Sequence, residues 1–358
     1  TAQLDNRDSL RFKELWSIED HIPERIANSG RRINFKLRNN IDRKDSVRSI
    51  VSSDIFNIPV KSFFTSTSLS QQGSQVNPID MFGGFLRTTI LGPGGISSEQ
   101  AVSDEAKMVD SSFLGFVDPV HTPEGSKTGV TGHLTLGTSK KGKEAAIQLF
   151  DVANKKYVRK APHELAGKSI AFPDQYDFSN PNNPKPRKDE VVVIAEDGGD
   201  PTRVTPGEVD YVLQSAKQLF SITANMVPFL PSDQANRAGM ATRQMEQAIS
   251  LKNREAPLVQ AASGHSNKEL NTWDKIVGKL NSHKSPVAGT VTSVTAQRIL
   301  VKDSQGKSHS VPLYDNFPLN DKKAFITSSP TVSKGDSIKK GQTLADTNFT
   351  KDGVYAPG

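Results

Sequence analysis

The sequence predicts a mixed α+β protein assembled from several modules, and three observations support this class. Its 358 residues exceed the usual size of one domain, so two or three compact units are expected. The first 60 residues are charged and have the pattern of helices. From about residue 285 apolar and polar residues alternate with a period of two, which is typical of strands.

The composition excludes several classes of protein. No apolar run approaches the roughly 18 residues of a membrane-spanning helix, and no signal peptide is visible. The absence of cysteine excludes disulfides and thiolate metal sites and fits a reducing compartment. Because the chain begins with Thr1 rather than Met, we expect it to be a piece of a longer product.

A basic cluster lies in the helical first segment. Residues 31–50 carry seven basic and two acidic side chains, within a chain of net charge +6. We expect a loop at residues 28–30 and a second helix break around Pro59. Clustered positive charge is typical of a phosphate-binding surface, and a solvated helix face is the alternative. The basic patch is defined by Arg31, Arg32, Lys36 and Arg38.

The next segment is almost free of charge and rich in glycine. Between residues 63 and 103 only Asp80, Arg87 and Glu99 are charged, while six glycines occur. Surface loops usually carry more charge. The pattern therefore predicts backbone held at positive φ or brought close to a ligand.

The segment from 140 to 207 contains many prolines and asparagines and predicts a peripheral module. A strand is expected at 191–196, and the acidic run at 196–200 is interpreted as a solvated turn rather than a metal site. Thr205 and Glu208 have the spacing of a capping box. Helical spacing after them favours a helix over 209–220, although residues 209–213 also fit a strand.

A second helix is predicted to begin near Ser232 or Asp233 and to end near Ala248. At 100° per residue, four long side chains fall within about 80° of one another. A structural face would more often be aliphatic, so functional and structural interpretations of this stripe both stay open. The stripe consists of Arg237, Met240, Gln244 and Gln247.

The last segment predicts a β-rich module with a hairpin turn at 304–306 and a second turn unit at 333–346. Motifs for self-contained catalysis are missing from the sequence, including a phosphate-binding P-loop and an Asp-rich loop for two metal ions. The seven histidines have no metal-ligand spacing. We therefore expect no metal site in this chain.

Four long strings carry a resemblance to a known family. They are "FFTSTSLSQQGSQVNP" (63–78), "LGPGGISSEQA" (91–101), "HTPEGSKTG" (121–129) and "NMVPFLPSDQANRAGMATRQMEQA" (225–248). In this order they resemble the β subunit of the multisubunit DNA-directed RNA polymerases found in bacteria. The similarity covers essentially the whole chain and starts and stops inside a normal β subunit.

The resemblance implies a β-type architecture of several modules. These are a helical basic segment at 1–60, the first part of the fork region at 61–135 and a peripheral module at 136–207. The second part of the fork region, with a nucleotide-proximal helix, follows at 208–268. A β-rich, barrel-like module at 269–358 leads to the hybrid-binding core.

The resemblance also implies roles for single residues. Arg237 matches an arginine that contacts the triphosphate of the incoming nucleotide, and Asn236 would orient it. Gln247 matches a glutamine near the RNA 3′ region, and Glu124 matches a loop glutamate near the active centre. For Asn236, bracing of the loop is the structural alternative; for Glu124, the Pro-Glu-Gly sequence also fits a simple turn.

The fork region of the family lies beside the RNA–DNA hybrid. In this chain that role falls to Gln71, Arg87, Gly94 and Gly95, with Arg87 alternatively paired to an internal carboxylate. Chemistry would be two-metal nucleotidyl transfer, with Mg²⁺ held by a β′-type partner and no cofactor bound here. Expected partners are the rest of β, β′-type subunits, a promoter-specificity factor, template DNA, RNA and nucleoside triphosphates, and no membrane.

Departures from the bacterial pattern predict a diverged lineage. Ser74, Gly84 and Thr89 stand where bacteria usually have Asp, His and Ser in the rifampicin pocket, so we expect resistance. Ser98 replaces a loop arginine, which weakens the case for strand-separation contacts. We expect a split β subunit of a giant bacteriophage, acting in the host cytoplasm or packaged in the virion. The alternatives are part of an ordinary bacterial or organellar β subunit and a non-enzymatic nucleic-acid-binding or virion protein.

Overall fold

The computed structural model describes residues 6, 8–44, 46–52, 54–67, 69–70, 75–194, 201–319 and 324–358. Its α-helices are α1 (Ile18–Asn28), α2 (Gly30–Ile41), α3 (Val47–Ile50), α4 (Asp54–Ser66), α5 (Pro78–Leu86), α6 (Ile222–Asn225), α7 (Ala235–Gln247) and α8 (Trp273–Asn281). Within these described residues, none of the helices is long and apolar enough to cross a membrane.

The strands are short, and all those in the described residues lie after α5. They are β1 (Arg87–Thr89), β2 (Thr131–His133), β3 (Ser139–Lys141), β4 (Glu144–Asp151), β5 (Lys156–Lys160), β6 (Ile170–Ala171), β7 (Tyr176–Asp177), β8 (Lys185–Pro186), β9 (Val191–Ile194), β10 (Thr202–Val204), β11 (Tyr211–Val212), β12 (His283–Lys284), β13 (Gly289–Val294), β14 (Arg298–Asp303), β15 (Ser308–Pro312), β16 (Phe317–Pro318), β17 (Phe325–Ile326), β18 (Ser328–Pro330), β19 (Ser337–Ile338), β20 (Thr343–Thr347), β21 (Thr350–Lys351) and β22 (Val354–Tyr355). Helices and sheets together confirm the α+β class.

The chain folds into two compact units, each built from separate stretches of sequence. The first unit contains Thr1–Gln72, Thr89–Phe116 and Gly137–Ala216, and the second contains Gly73–Thr88, Val117–Leu136 and Lys217–Gly358.

The first unit begins with helices, as the sequence predicts. The predicted loop at 28–30 is confirmed only as a break at Ser29, because Asn28 ends α1 and Gly30 begins α2. The predicted break at Pro59 is wrong, because α4 continues through it. Ile55, Pro59 and Phe63 recur at every fourth residue on the buried face of α4, and Phe63 stacks on His21 of α1. Burial of this face stabilises a helix that proline alone would destabilise.

A sheet forms the core of the first unit. Its main path runs β10–β9–β6–β11–β4–β3, and β5 pairs with β4. The predicted strand at 191–196 is confirmed as β9 up to Ile194, and the acidic run at 196–200 lies outside the described residues. Most strands are antiparallel, but β11 pairs with β6 in parallel.

The predicted helix over 209–220 is wrong, and the alternative strand is confirmed in part. Thr205 and Glu208 do form the capping box, with the Thr205 N–H donating to Glu208 at 2.9 Å, but it closes only one 3₁₀ turn. Tyr211 and Val212 then form β11, between β4 and β6. Val212 is fully buried in the sheet core, so tertiary pairing overrides the local helical spacing.

The second unit combines a β-rich part with a helical part. The sheet β15–β14–β13–β19 encloses an apolar core around Val291, Ile299 and Val301. The predicted turn at 304–306 is confirmed between β14 and β15, with Gly306 at φ +82°. A second apolar cluster joins α5, α6 and α8 to β22 through Ile79, Ile222, Val277 and Tyr355.

Candidate nucleotide and nucleic-acid interface

Helix α7 is the centre of the candidate site. It begins at Ala235 with Gln234 as the N-cap, two or three residues after the predicted start at Ser232 or Asp233, and it ends at Gln247. Ser232 instead closes a 3₁₀ turn after Phe229, whose φ of +59° reverses the chain ahead of the helix. The helix prediction is confirmed, and its start is corrected.

The polar stripe of α7 faces outward. All four of its members, Arg237, Met240, Gln244 and Gln247, are exposed, whereas Ala238, Thr242 and Glu246 on the other side are buried. The Arg237 guanidinium lies 3.6 Å from the Met240 sulfur. The Asn236 side chain accepts a hydrogen bond from the Arg237 N–H at 2.9 Å. The stripe is therefore not a core face, and its side chains are available for binding.

The loop that precedes Glu124 runs along the buried side of α7. At Gly239 a Cβ would lie 3.0 Å from the backbone oxygen of Val120, so glycine lets loop and helix approach closely. The buried Asp118 carboxylate accepts hydrogen bonds from the N–H groups of Val120, His121 and Ser221 at 2.6–3.0 Å. These bonds hold the loop in one conformation beneath the helix.

Two histidines and a glutamate meet beneath the end of α7. The rings of His121 and His133 stack with centroids 3.6 Å apart, and His121 Nε2 lies 2.9 Å from Glu246 Oε1. That short contact lacks the angles of a hydrogen bond. Burial and the neighbouring His121 lower the pKa of His133 to about 3, so its ring is neutral at ordinary pH.

Sequence reasoning missed this cluster. The histidines are twelve residues apart and Glu246 follows far along the chain, so spacing gives no indication. The helical pattern does give one. At 100° per residue Glu246 lies directly opposite Arg237, which places a carboxylate on the buried face.

Helix α5 joins the same assembly through Asn77. Its side-chain oxygen caps α5 by accepting the Asp80 N–H at 2.9 Å. Its amide nitrogen lies 2.8–3.0 Å from the carbonyl oxygens of Met245, Glu246 and Ala248 at the end of α7. Arg87 follows α5 at the start of β1, half-buried, and its charge contributes to the low pKa of His133.

The remaining predicted residues fall into three groups. Arg87, Glu124, Asn236, Arg237 and Gln247 belong to the second unit, and Glu124 is exposed as the cap of a 3₁₀ turn. Gly94, Gly95 and the basic patch belong to the first unit. Gln71 lies outside the described residues.

The glycine loop has the backbone that the sequence predicts. Gly92 and Gly94 have φ values of +106° and +83°. A Cβ on Gly95 would lie 2.2 Å from the Ile90 oxygen, so no side chain fits there. In the basic patch, Arg31 and Arg38 are exposed and lie on the same face of α2, about 20° apart around the helix axis. Lys36 Nζ donates to the Asp54 carbonyl oxygen at 3.5 Å.

Comparisons with known proteins show which proteins the chain is similar to. Residues 71–139 match the family model described as RNA polymerase Rpb2, domain 3. A DNA-directed RNA polymerase subunit beta of Mycoplasmopsis pulmonis is 30% identical over 99% of this chain. Proteins of the same name from Phaeodactylum tricornutum and Fusobacterium nucleatum are 29% and 28% identical, over 96% and 100% of the chain.

The chain corresponds to less than a third of the length of each of these relatives. This chain spans 29%, 24% and 30% of their lengths, respectively. Over nearly its whole length, the chain is similar to the β subunits of DNA-directed RNA polymerases.

Proposed function

We propose that this chain forms the part of an RNA polymerase β subunit that binds the incoming nucleotide and borders the RNA–DNA hybrid. The observation that carries the proposal is the outward stripe of α7 in a chain related to β subunits over almost all of its length. Arg237 has no carboxylate partner among the described residues, so its guanidinium is available for a triphosphate.

The proposed division of labour gives each residue the role of the family residue that it matches. Arg237 neutralises and orients the triphosphate, Gln247 and Glu124 lie nearer the RNA end, and Asn236 braces the start of α7. Mg²⁺ and its carboxylate ligands belong to a β′-type partner, so the chain is inactive alone. Positioning and charge neutralisation account for much of phosphoryl-transfer catalysis, which is what this surface can supply.

The fork wall and the basic patch provide the nucleic-acid contacts in this proposal. The loop at Gly92–Gly95 is compact and uncharged, so it can lie against a moving hybrid without holding particular bases. Arg31 and Arg38 bind phosphates. Replacing both with alanine should lower the slope of log affinity against log salt by about two.

Steady-state kinetics of the assembled polymerase test the nucleotide contact. Arg237→Ala should lower kcat/KM for all four nucleotides roughly 10- to 100-fold, the range for losing a charge-assisted hydrogen bond. Arg237→Lys should retain only part of the wild-type kcat/KM, because an ammonium cannot bond two oxygens in one plane. The exposed Arg298→Ala is the matched control. Normal kinetics in Arg237→Ala would refute the assignment.

The division of β between separate phage polypeptides is part of the same proposal. Native purification followed by mass spectrometry tests it directly. Separate chains carrying the rest of β and the metal-binding loop would support a split subunit, whereas a longer form of this same chain would contradict it.

A further inference from the structure

His121, His133 and Glu246 present three buried polar atoms to one another with no hydrogen-bond partner among the described residues. The atoms are the Nε2 of each histidine and Oε1 of Glu246. The three side chains are between 0% and 3% exposed, and their candidate ligand atoms lie within 4.8 Å of one another. Unsatisfied buried polar atoms are costly, so three in one place require an explanation.

The hydrogen bond on the far side of the His133 ring determines which of its nitrogens carries a lone pair, and the contact of His121 permits the same arrangement. His133 Nδ1 lies 3.0 Å from the His121 carbonyl oxygen, which can only accept. Nδ1 therefore carries the proton, and Nε2 presents a lone pair. His121 Nδ1 lies 2.9 Å from Ser221 Oγ, which can accept in the same way. Histidines that bind metals usually donate their other N–H to such a partner.

We propose that His121, His133 and Glu246 form a buried structural site for a divalent transition-metal ion, with Zn²⁺ as its best fit. Two imidazole nitrogens and a carboxylate oxygen are a ligand set that Zn²⁺ adopts when a water molecule completes the tetrahedron, and a water would be the fourth ligand here. An ion would satisfy all three atoms at once, whereas one shared proton satisfies one pair. The ion would bind the loop before Glu124 to α7, and this inference does not depend on the proposed function.

The geometry requires one ring to move when the ion binds. The ring planes are only 8° from parallel, so an ion cannot lie in both. The His133 ring is held by its bond to a carbonyl. We therefore expect the His121 ring to tilt about its Cβ–Cγ bond, with Nδ1 staying within hydrogen-bond reach of Ser221 Oγ, until the ligand atoms reach the roughly 3.4 Å separation around a tetrahedral ion.

The surrounding charges lower the affinity of the site for a metal ion. Arg243 Nη1 lies 3.8 Å from Glu246 Oε2, and the charge of Arg87 acts on His133. Both disfavour a cation. The Asp118 carboxylate partly opposes them, although it is occupied by three backbone N–H groups. The site should therefore hold metal less tightly than a zinc site without nearby arginines.

The test uses the full chain, in its complex and without a histidine tag. Elemental analysis should find about one zinc per chain, and Co²⁺ replacement should give the visible absorption of a tetrahedral nitrogen–oxygen site. His133→Gln and Glu246→Gln should weaken Zn²⁺ binding more than about 100-fold. His265→Gln, at an exposed histidine, should leave Zn²⁺ binding unchanged. Ser221→Ala should weaken it by roughly tenfold, as for other groups that orient a ligand.

Ser221→Ala and the wild-type measurements also decide the case if a ligand variant fails to fold. Wild-type chain that holds no zinc and takes up no Co²⁺ after zinc addition would overturn the proposal. A buried water molecule would then be the explanation for the three atoms. Metal that stays bound when His133 or Glu246 is replaced would place the ion elsewhere and overturn it equally.

Discussion

Replacing Asn77 should separate α5 from the end of α7 at a cost that can be worked out. The side chain is 1% exposed, caps α5 with its oxygen and faces three carbonyl oxygens of α7 with its nitrogen. An amide nitrogen has two hydrogens, so the three contacts amount to at most two full hydrogen bonds. Losing the cap costs about 1 kcal/mol and the two bonds about 1 kcal/mol each. Asn77→Ala should therefore destabilise the second unit by about 3 kcal/mol.

Two further variants at the same position separate these contributions. Asn77→Ser retains the cap and loses only the bonds to α7, so its cost should be about 2 kcal/mol. Asn77→Asp also retains the cap but places a carboxylate against three carbonyl oxygens. It should be the most destabilising of the three at pH 7, and milder at a pH low enough to protonate it.

Urea unfolding followed by circular dichroism and tryptophan fluorescence measures these differences. Trp273 lies in the second unit and reports on it. Asn281→Ala is the matched control, since its amide makes one hydrogen bond to the Val277 carbonyl at 2.8 Å and should cost about 1 kcal/mol. If Asn77→Ala costs no more than the control, the bonds to α7 do not hold the helix.

Three other perturbations have defined outcomes. Burial raises the pKa of Asp274 to about 6, above its unfolded value of about 3.9. Between these values the folded state holds a proton that the unfolded state has lost. Stability therefore falls as pH rises from about 4 to about 6. Asp274→Asn should abolish that slope and gain roughly 3 kcal/mol at pH 7 in urea titrations, with the stability of the exposed Asp315→Asn variant unchanged; a retained slope would contradict this. A Cβ at Gly278 would lie 2.4 Å from the Gly353 oxygen, so Gly278→Ala should lower the free energy of unfolding by roughly 1–3 kcal/mol, measured by thermal unfolding. Gly84→Ala in α5 is the control, because its Cβ meets open space and should cause no loss of stability. Gly84 stands where the resemblance implies a histidine ring in bacterial β subunits, so we expect transcription to continue at low micromolar rifampicin, and complete inhibition would contradict this.

Local patterns predicted those parts of the structure that local physics determines. The stripe of α7, the hairpin turn at 304–306 and the strained glycines depend on residues within a few positions of one another. Positive φ at Gly92 and Gly94 and the close backbone approach at Gly95 follow from the same short loop. In each case the nearby sequence contains the cause.

The failures have their causes elsewhere in the chain. The strand at Tyr211–Val212 pairs with β4 and β6, whose residues lie tens of positions earlier, so the helical spacing of 209–220 did not decide the outcome. Helix α4 continues through Pro59 because its apolar face is buried against α1. The meeting of His121 and His133 with Glu246 depends on the packing of α7 against a loop more than a hundred residues earlier.

The buried side of α7 is unusually polar for a helix that carries a binding surface. Asn77 donates to the carbonyl oxygens at its end, and its own Glu246 lies buried beside His121, where leucine or valine would have given more apolar burial. Directional contacts fix the rotation and the axial position of a helix, because a slip of one residue leaves buried groups unsatisfied. Apolar contacts tolerate such a slip at lower cost. The polar underside therefore acts on Arg237 and Gln247 without touching a ligand. A change there should alter the position of the guanidinium and leave its charge intact, so in the assembled enzyme it should reduce kcat for nucleotide addition more than the affinity for the triphosphate.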